Sequence, residues 1–501
     1  MQICPDAGHA IALRDVLPDA VHDGTEGVAL AGCVCDSRRV RPGDLFVALG
    51  GVEHDGGRFI ADAVQRGCAA VLLDTSQERF LDQTRMTGVP VVRVDDARKA
   101  FGHICQTLAG HPSRELKLIG VTGTNGKTTT ATLIAGILNH SGHKTGLLGT
   151  LGYFDGDRVE DAPWTTPPAD HLAAWLRRMA QRDCTHAVME VSSHALDQWR
   201  TAGVRFDTAC VTNVTRDHLD YHGSLAEYRA AKFRLLEQLP TEGLAVINAD
   251  DPVAAGFLPQ LDGPVLTVGI DQPAEITAVP LEEHPSEQTF LLTAGSETMP
   301  VRTAMIGRHH IQNCLVATAV GLSHGVELAD IVRAIEAARH VPGRLERIEC
   351  GQPFSVFVDY AHTPHALETV LATLRRVTSG RLICLFGAGG NRDAAKRPRM
   401  GAVAERLADR LIVTTDNPRD EDPAAIADDV LAGISRRDAV EVVLDRREAI
   451  QWALSTANPG DCVLLAGKGH EQMQIVTGRH EEFDDAAVAR EWLYDVQPFA
   501  A

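Results

Sequence analysis

The sequence predicts an α/β protein built on parallel sheets and divided into three domains, and three observations point there. A chain of 501 residues exceeds what one hydrophobic core organises, and at ordinary domain sizes it divides into about three. Short apolar runs alternate with helical patterns over most of its length, as βαβ units require. One run, LKLIGVTG, ends in a glycine turn that opens directly into a helix, the arrangement of a phosphate-binding loop on a parallel strand.

The elements follow in order. To about residue 110 the strands are short, DLFVAL and AAVLL, the second following the helical pattern FIADAVQRG. A second stretch opens after His111-Pro112-Ser113 with LKLIGVTG, a tight turn and the helix TTTATLIAGILNHSG, and runs to about Gly343. The third begins with SVFVDYA and repeats the alternation through helix ALETVLATLRR, strand RLICLFGAGG, a helix from Pro398, strand RLIVTTDNP, a helix from Pro423, strand EVVL, helix REAIQWAL and strand DCVLLAGKG. That order reads as a doubly wound sheet. The expected domains are 1–111, 112–344 and 345–501, with no internal repeat and no low-complexity segment.

Charge narrows the partners. Acidic residues outnumber basic ones by 67 to 48, and a formal charge of -19 disfavours nucleic acids and anionic membranes. An anionic ligand must then be held by local cations and oriented backbone amides. The start MQICPDAGHAIALRD has neither a basic flank nor a signal-length apolar run, and no later stretch is long and apolar enough to span a bilayer, so the expected location is the cytoplasm. Eleven cysteines run from Cys4 to Cys462 without a C-x-x-C pair, only Cys33 and Cys35 being close neighbours; they read as reduced core thiols and not as a zinc site.

The chemistry begins at TGTNGKT, Thr122 to Thr128. Gly123 and Gly126 let the backbone turn and approach a ligand, Thr124 and Asn125 lie between them, and the following helix offers unpaired amides and its positive dipole end to a phosphate. Lys127 adds a mobile charge and Thr128 a hydroxyl for magnesium, with Thr129 behind it. Val121 stands where the strict G-x-x-x-x-G-K-[ST] pattern has glycine, so this is a variant loop. Glu190 closes the strand HAVMEV and His218 follows the strand TACVTNV; the carboxyl ends of parallel strands put both within reach of the loop, with Asn213 and Asp217 as further crevice residues. In AEYRAAKFRLLEQL, Lys232 lies four residues from Tyr228 and Leu236 and so shares their apolar stripe, where burial raises the neutral, reactive fraction of its amine. After the strand RLIVTT comes DNPR, with a guanidinium fork for a carboxylate at Arg419 and ammonium acceptors at Asp416 and Asn417, which suits a zwitterion. GAGGNR fails the G-x-G-x-x-G pattern, so a nicotinamide site is not expected.

TGTNGKT, MEVSSH at 189–194, TNVTRDHLDYHG at 212–223, DYAHTP at 359–364 and DNPR at 416–419 together resemble the Mur ligases of peptidoglycan synthesis, over nearly the whole chain from DSR at 36 to GKGHE at 467. The resemblance implies a uridine-nucleotide domain, a central P-loop-type ATPase domain and a Rossmann-like C-terminal domain that receives an amino acid. It implies ATP-dependent joining of meso-2,6-diaminopimelate to a UDP-N-acetylmuramoyl dipeptide through an acyl phosphate, releasing ADP and phosphate. Catalysis is then assigned to Lys127, Glu190, His218 and Lys232. Two magnesium ions are expected on Thr128, Glu190, His218 and a carbamylated Lys232.

By the same resemblance Ser37, His54, Thr165, Thr166, Ser192, Gln198, Arg200 and Lys232 contact the UDP-sugar dipeptide. Asn313, Arg344 and Asp359 meet the base and ribose of ATP. Arg392, Gly467 and Glu471 join Asp416, Asn417, Pro418 and Arg419 around diaminopimelate. The chain departs from the family pattern at His310 and Trp164, where asparagines are common. The implied state is a monomer whose domains close around ATP. Other readings are the same reaction with L-lysine, which Arg419 opposes; a folylpolyglutamate-type amide ligase, which should lack DNPR and the UDP-binding segment; and a non-catalytic ATP-binding scaffold, against which Lys127, Thr128, Glu190 and His218 are intact.

Overall fold

The structure, a computed structural model, describes residues 10–51 and 55–496. Three main sheets organise it. The first has five strands in the order Val21–Asp23, Val91–Val94, Ala70–Asp74, Asp44–Val47, Gly32–Val34, all parallel except the first. Its inner strands are continuous buried apolar runs, as strands covered on both faces must be. Helix Ala97–Leu108, capped by Asp96 accepting from the Lys99 amide, packs on this sheet and shares a core with Ala169 and Ala173 of the next unit.

The central sheet has eleven strands. Strand Lys117–Thr122 lies parallel between His186–Glu190 and Thr208–Val211, so three carboxyl ends converge where the chain turns through residues 123–126 into helix Lys127–His140. Strands are added first on one side of Lys117–Thr122 and then on the other, which opens a crevice at that point. Both ends of the sheet are antiparallel, a departure from the purely parallel expectation. At one end Ile276–Glu283, Gln288–Ala294 and Glu297–Thr303 form a meander in which Gln288, Phe290 and Leu292 are buried at alternate positions. That period of two is what a sheet with one wet face imposes.

The third sheet runs Glu346–Ile348, Ser355–Asp359, Cys462–Ala466, Leu382–Phe386, Arg410–Val413, Val440–Val442, parallel but for the first pair. Helices Pro364–Val377, Arg397–Leu407 and Pro423–Leu431 bury Leu371, Met400 and Val430 on one face, while Arg446–Ser455 and Asp485–Val496 bury Ile450 and Leu493 on the other. This is the doubly wound arrangement expected. A hairpin, Met473–Val476 with Arg479–Glu482, and the helix Asp485–Val496 were not anticipated.

No helix among the described residues is long and apolar enough to cross a membrane. The ten described cysteines are free and mostly buried, as core thiols are; Cys4 lies outside the described residues.

Candidate active site

The phosphate loop needs its glycines. Gly123 and Gly126 have φ of 152° and 84°, and a Cβ at either would collide with Thr212 or Asn313. Lys127 is partly buried, and its Nζ donates to the carbonyls of Gly123 (2.8 Å) and Thr124 (2.9 Å); desolvation pulls its pKa down. Asn213 braces the loop, its Oδ1 accepting from the Asn125 amide at 2.9 Å and its Nδ2 donating to the Asn125 carbonyl at 3.1 Å.

The Thr128 hydroxyl donates to Glu190 Oε2 at 2.8 Å, and the same buried carboxylate accepts the Thr150 amide (2.7 Å) and hydroxyl (3.1 Å). These are hard oxygen donors of the kind magnesium takes, in a site that keeps room for substrate phosphates. Among the described residues no group of three or more His, Cys, Asp or Glu is placed to hold a metal ion.

Lys232 is fully buried, as its stripe position predicts. Its Nζ donates to the Gly123 carbonyl at 2.7 Å and lies 4.7 Å from the centre of the Tyr228 ring, while burial and then Lys127 hold its pKa well below the usual lysine range. His218 has φ 50°, packs edge-on against His194 and sits with Nε2 3.4 Å from Asp217 Oδ2. Burial pulls its pKa to about 4 against the opposing pull of Asp217, leaving a neutral imidazole.

Behind Glu190 five of the residues assigned to the UDP-dipeptide form one network. Thr166 donates to the Glu190 carbonyl (2.8 Å), the Ser192 amide donates to Thr166 Oγ1 (3.0 Å), and Arg200 donates to the Thr166 carbonyl (2.8 Å) and to Gln198 Oε1 (2.8 Å). Thr165 meets the Thr150 hydroxyl at 3.1 Å. Ser37 is buried on the first sheet's domain, hydrogen-bonded with Asp62, and His54 lies outside the described residues. Trp164 receives the Tyr153 hydroxyl on its carbonyl at 2.5 Å and leaves its indole partly exposed.

Two cavities meet at this site. One, of about 550 Å³, is lined by Asn125, Gly126, Thr129, Asn313, Arg344 and Asp359. Asp359 accepts the amides of Leu345 and Ala361, both at 2.7 Å, and burial raises its pKa to about 6 against the pull of Arg344. His310 also lines it, but neither ring nitrogen has a hydrogen-bond partner among the described residues, so the expected asparagine-like contact is not made within the protein.

The other cavity, of about 440 Å³, is lined by Arg392, Asp416, Asn417, Arg419, Gly467 and Glu471 from the third domain and by Asp217 and His218 from the central one. Tyr360, His362 and His365 line both cavities and form the shared wall. Asp416 Oδ1 is buried without a partner among the described residues, an acceptor suited to an ammonium. Asn417 instead holds neighbours, donating to Glu471 Oε2 at 2.8 Å and accepting the Ile475 amide at 3.0 Å. Pro418 is not in the cavity wall; its carbonyl packs where a side chain on Gly390 would sit.

Three supports were not seen in the sequence. Lys468, fully buried, donates to the Met473 carbonyl (2.6 Å) and to Asn417 Oδ1 (3.3 Å). The 473–482 hairpin pairs with Arg419, whose amide donates to the Ile475 carbonyl at 3.0 Å. Arg446 and Asp485 form an ion pair with both side chains fully buried, and the guanidinium also donates to the carbonyls of Ala466 (3.0 Å) and Thr415 (3.4 Å), tying together the strand ends that carry Gly467 and Asp416. A lone basic residue in a helical pattern carries no signal of a partner 39 positions away.

The glycine loop and the second cavity share a wall, an arrangement suited to activating a carboxylate with a nucleotide and passing it to an amine. Comparison with known proteins narrows this. The Mur ligase family catalytic domain matches residues 30–107, the Mur ligase middle domain 121–321, and the Mur ligase glutamate ligase domain 343–469. Among curated relatives, the UDP-N-acetylmuramoyl-L-alanyl-D-glutamate--2,6-diaminopimelate ligase of Syntrophomonas wolfei subsp. wolfei is 40% identical over 479 residues, 94% of this chain and 96% of the relative. That of Geobacillus thermodenitrificans is 43% identical over 462 residues, 91% and 93%. A solved structure of a ligase with the same name superposes with a TM-score of 0.69 at 31% identity, covering 97% of this chain and 99% of that one. The chain belongs to the Mur ligase family.

Proposed function

We propose that this enzyme joins meso-2,6-diaminopimelate to UDP-N-acetylmuramoyl-L-alanyl-D-glutamate, consuming ATP through an acyl phosphate and releasing ADP and phosphate. The observation that carries the reading is the second cavity. One wall holds a vacant carboxylate oxygen on Asp416 and the guanidinium groups of Arg419 and Arg392; the other holds His218 beside the phosphate loop. A zwitterionic amine is thereby presented to an activated carboxylate, and Arg419 matches the distal carboxylate that L-lysine lacks.

In this reading Gly123 to Thr129 cradle the ATP phosphates, Lys127 neutralises the transferring phosphoryl group, and Asn313, Arg344 and Asp359 hold the base and ribose. Ser37, His54, Thr165, Thr166, Ser192, Gln198 and Arg200 hold the UDP-dipeptide. Arg392, Gly467 and Glu471 complete the amino-acid site with Asp416, Asn417, Pro418 and Arg419. Thr128, Glu190 and His218 are the residues that would bind magnesium, with Lys232 contributing as a carbamate to a second ion; magnesium neutralises phosphate charge during transfer. Burial of the Lys232 amine favours the neutral form that reacts with carbon dioxide.

The domain bounds proposed are 1–111, 112–344 and 345–501. The enzyme of this reading acts as a monomer in the cytoplasm. Phosphate release measured with each substrate omitted in turn tests the reaction: it should require ATP, the UDP-dipeptide and diaminopimelate together. Equal rates with L-lysine would sink the amino-acid assignment.

A further inference from the structure

Lys396 has no role in the site just described. It ends the 3-10 turn Ala394–Lys396 that leads into helix Arg397–Leu407, so the third domain carries it. Its partly buried side chain enters the cavity that also holds Asp416, Arg419, Asp217 and His218. The charges that face it come from both domains: Asp217 and Asp220 from the central one, Asp416 and Asp393 from the third, with His362, whose pKa burial lowers, on the shared wall.

Despite four acidic neighbours, the ammonium makes no salt bridge or hydrogen bond to any described residue. Its neighbours behave differently. Arg397 pairs with Asp429 and Glu421, each at 2.8 Å, and Lys127 and Lys468 each hold a carbonyl within 2.9 Å. A partly desolvated cation with no direct ion pair or hydrogen bond is costly: burial pulls its pKa down, and Asp217 and Asp416, beyond ion-pair distance, only oppose that. A group left in this condition inside a reaction cavity is positioned for an anion that arrives during turnover.

The anions of the proposed reaction are not equivalent here. The carboxylates of the amino acid have Arg419 and Arg392, and the phosphates of ATP have Lys127 and the loop amides. In that reading the acyl phosphate forms where the ATP cavity and the amine cavity adjoin, a place for which no third-domain cation has been named. We propose that Lys396 is a catalytic residue that binds the phosphoryl group of the acyl phosphate from the side of the incoming amine and stays with the phosphate as it leaves. This rests on the acyl-phosphate reading above. In the step it serves, the amine nitrogen bonds to the acyl carbon, and the carbon–oxygen bond to phosphate breaks with its electron pair on the phosphate. The proton shed by nitrogen goes to that phosphate, giving the amide and hydrogen phosphate, while Lys396 keeps its charge throughout.

The test compares the full-length enzyme with Lys396→Met and Lys396→Arg, using ATP, magnesium, the UDP-dipeptide and diaminopimelate. Lys396→Met should lower kcat about 100-fold, the scale of losing one charge-stabilising donor. The KM for ATP and for diaminopimelate should stay within about threefold, the signature of an interaction made in the transition state. Hydroxylamine should still trap the acyl group from the UDP-dipeptide in this variant, because the acyl phosphate forms before the amine step. Lys396→Arg, which keeps the charge, should recover at least a tenth of kcat, and it decides the matter if the methionine variant is poorly folded. A kcat for Lys396→Met within about threefold of the unmodified enzyme overturns the assignment, and so does a loss confined to the KM for diaminopimelate, which would make Lys396 a carboxylate contact. If the unmodified enzyme itself yields no trapped acyl group, the acyl-phosphate reading fails first, and that result is separate from either outcome for the variant.

Discussion

Arg419 holds a backbone φ of 54°, a conformation a side-chain-bearing residue adopts at some cost, and its Nη1 donates to the Gly390 carbonyl at 2.8 Å. The strain is maintained by pairing with the 473–482 hairpin, and the guanidinium lines the second cavity. Arg419→Ala should raise the KM for diaminopimelate by about 100-fold, consistent with a charged hydrogen-bond pair of about 3 kcal/mol, while the KM for ATP moves little. Steady-state kinetics with each substrate varied would show it, and parallel increases in both constants would mean a general loss of structure. At this scale much was legible. Thr128 beside the glycine loop and Glu190 at a strand end are marked by residue type and place, whereas Lys232 on its apolar stripe and Asp416 in a turn-forming DNPR carry weight only through the family resemblance. Lys468 and Arg446 carry no such mark, because their partners are carbonyls and a carboxylate brought together only by the tertiary fold.

Among elements, the parallel strands were readable because each is a short, fully buried apolar run between helical patterns. The 473–482 hairpin was not, since its residues are half-buried or exposed and carry no apolar alternation. What builds it is the two-residue turn Thr477-Gly478, with φ of 47° and 72°, the positive values that a tight hairpin of the primed type requires. Nothing lies within 4 Å of where a Cβ on Gly478 would point, so a substitution there acts through the backbone alone. Gly478→Val should therefore destabilise the hairpin by about 1–2 kcal/mol and weaken diaminopimelate use selectively, because Ile475 holds both Arg419 and Asn417. Unchanged kinetics would remove the hairpin from the account of specificity.

The helix Asp485–Val496 is fastened by the buried Arg446–Asp485 pair. Asp485→Asn strips the charge from one partner and leaves the guanidinium buried without its counter-ion. The expected cost is about 3–5 kcal/mol of folding stability, read from denaturant unfolding. A change below about 1 kcal/mol would mean that water or another group takes over the carboxylate's place.

For the molecule as a whole, the three-domain plan was legible from length and alternation, and the meeting of two domains around one cavity was not, because it depends on which loops face each other. That assembly concentrates neutral histidines. His186, His194, His309 and His470 are each pulled by burial from the usual imidazole value to about 4. In the unfolded chain they titrate near 6.5. Between those values the unfolded state binds more protons than the folded one, so each histidine makes folding less favourable as the pH falls from about 6.5 towards 4. Asp359, raised to about 6, acts oppositely: the folded state keeps its proton above the unfolded value near 4, so its contribution is lost as the pH rises through 6. With His218, likewise near 4, five imidazoles stand against one carboxyl, and they decide the sign. The thermal midpoint should fall steadily from pH 7 to pH 5, before the paired carboxylates begin to titrate, and His186→Gln should flatten part of that slope without touching the catalytic cavities, since His186 opens its strand at the end opposite Glu190. A midpoint that held level or rose over this interval would show that the buried imidazoles gain their protons without unfolding the chain.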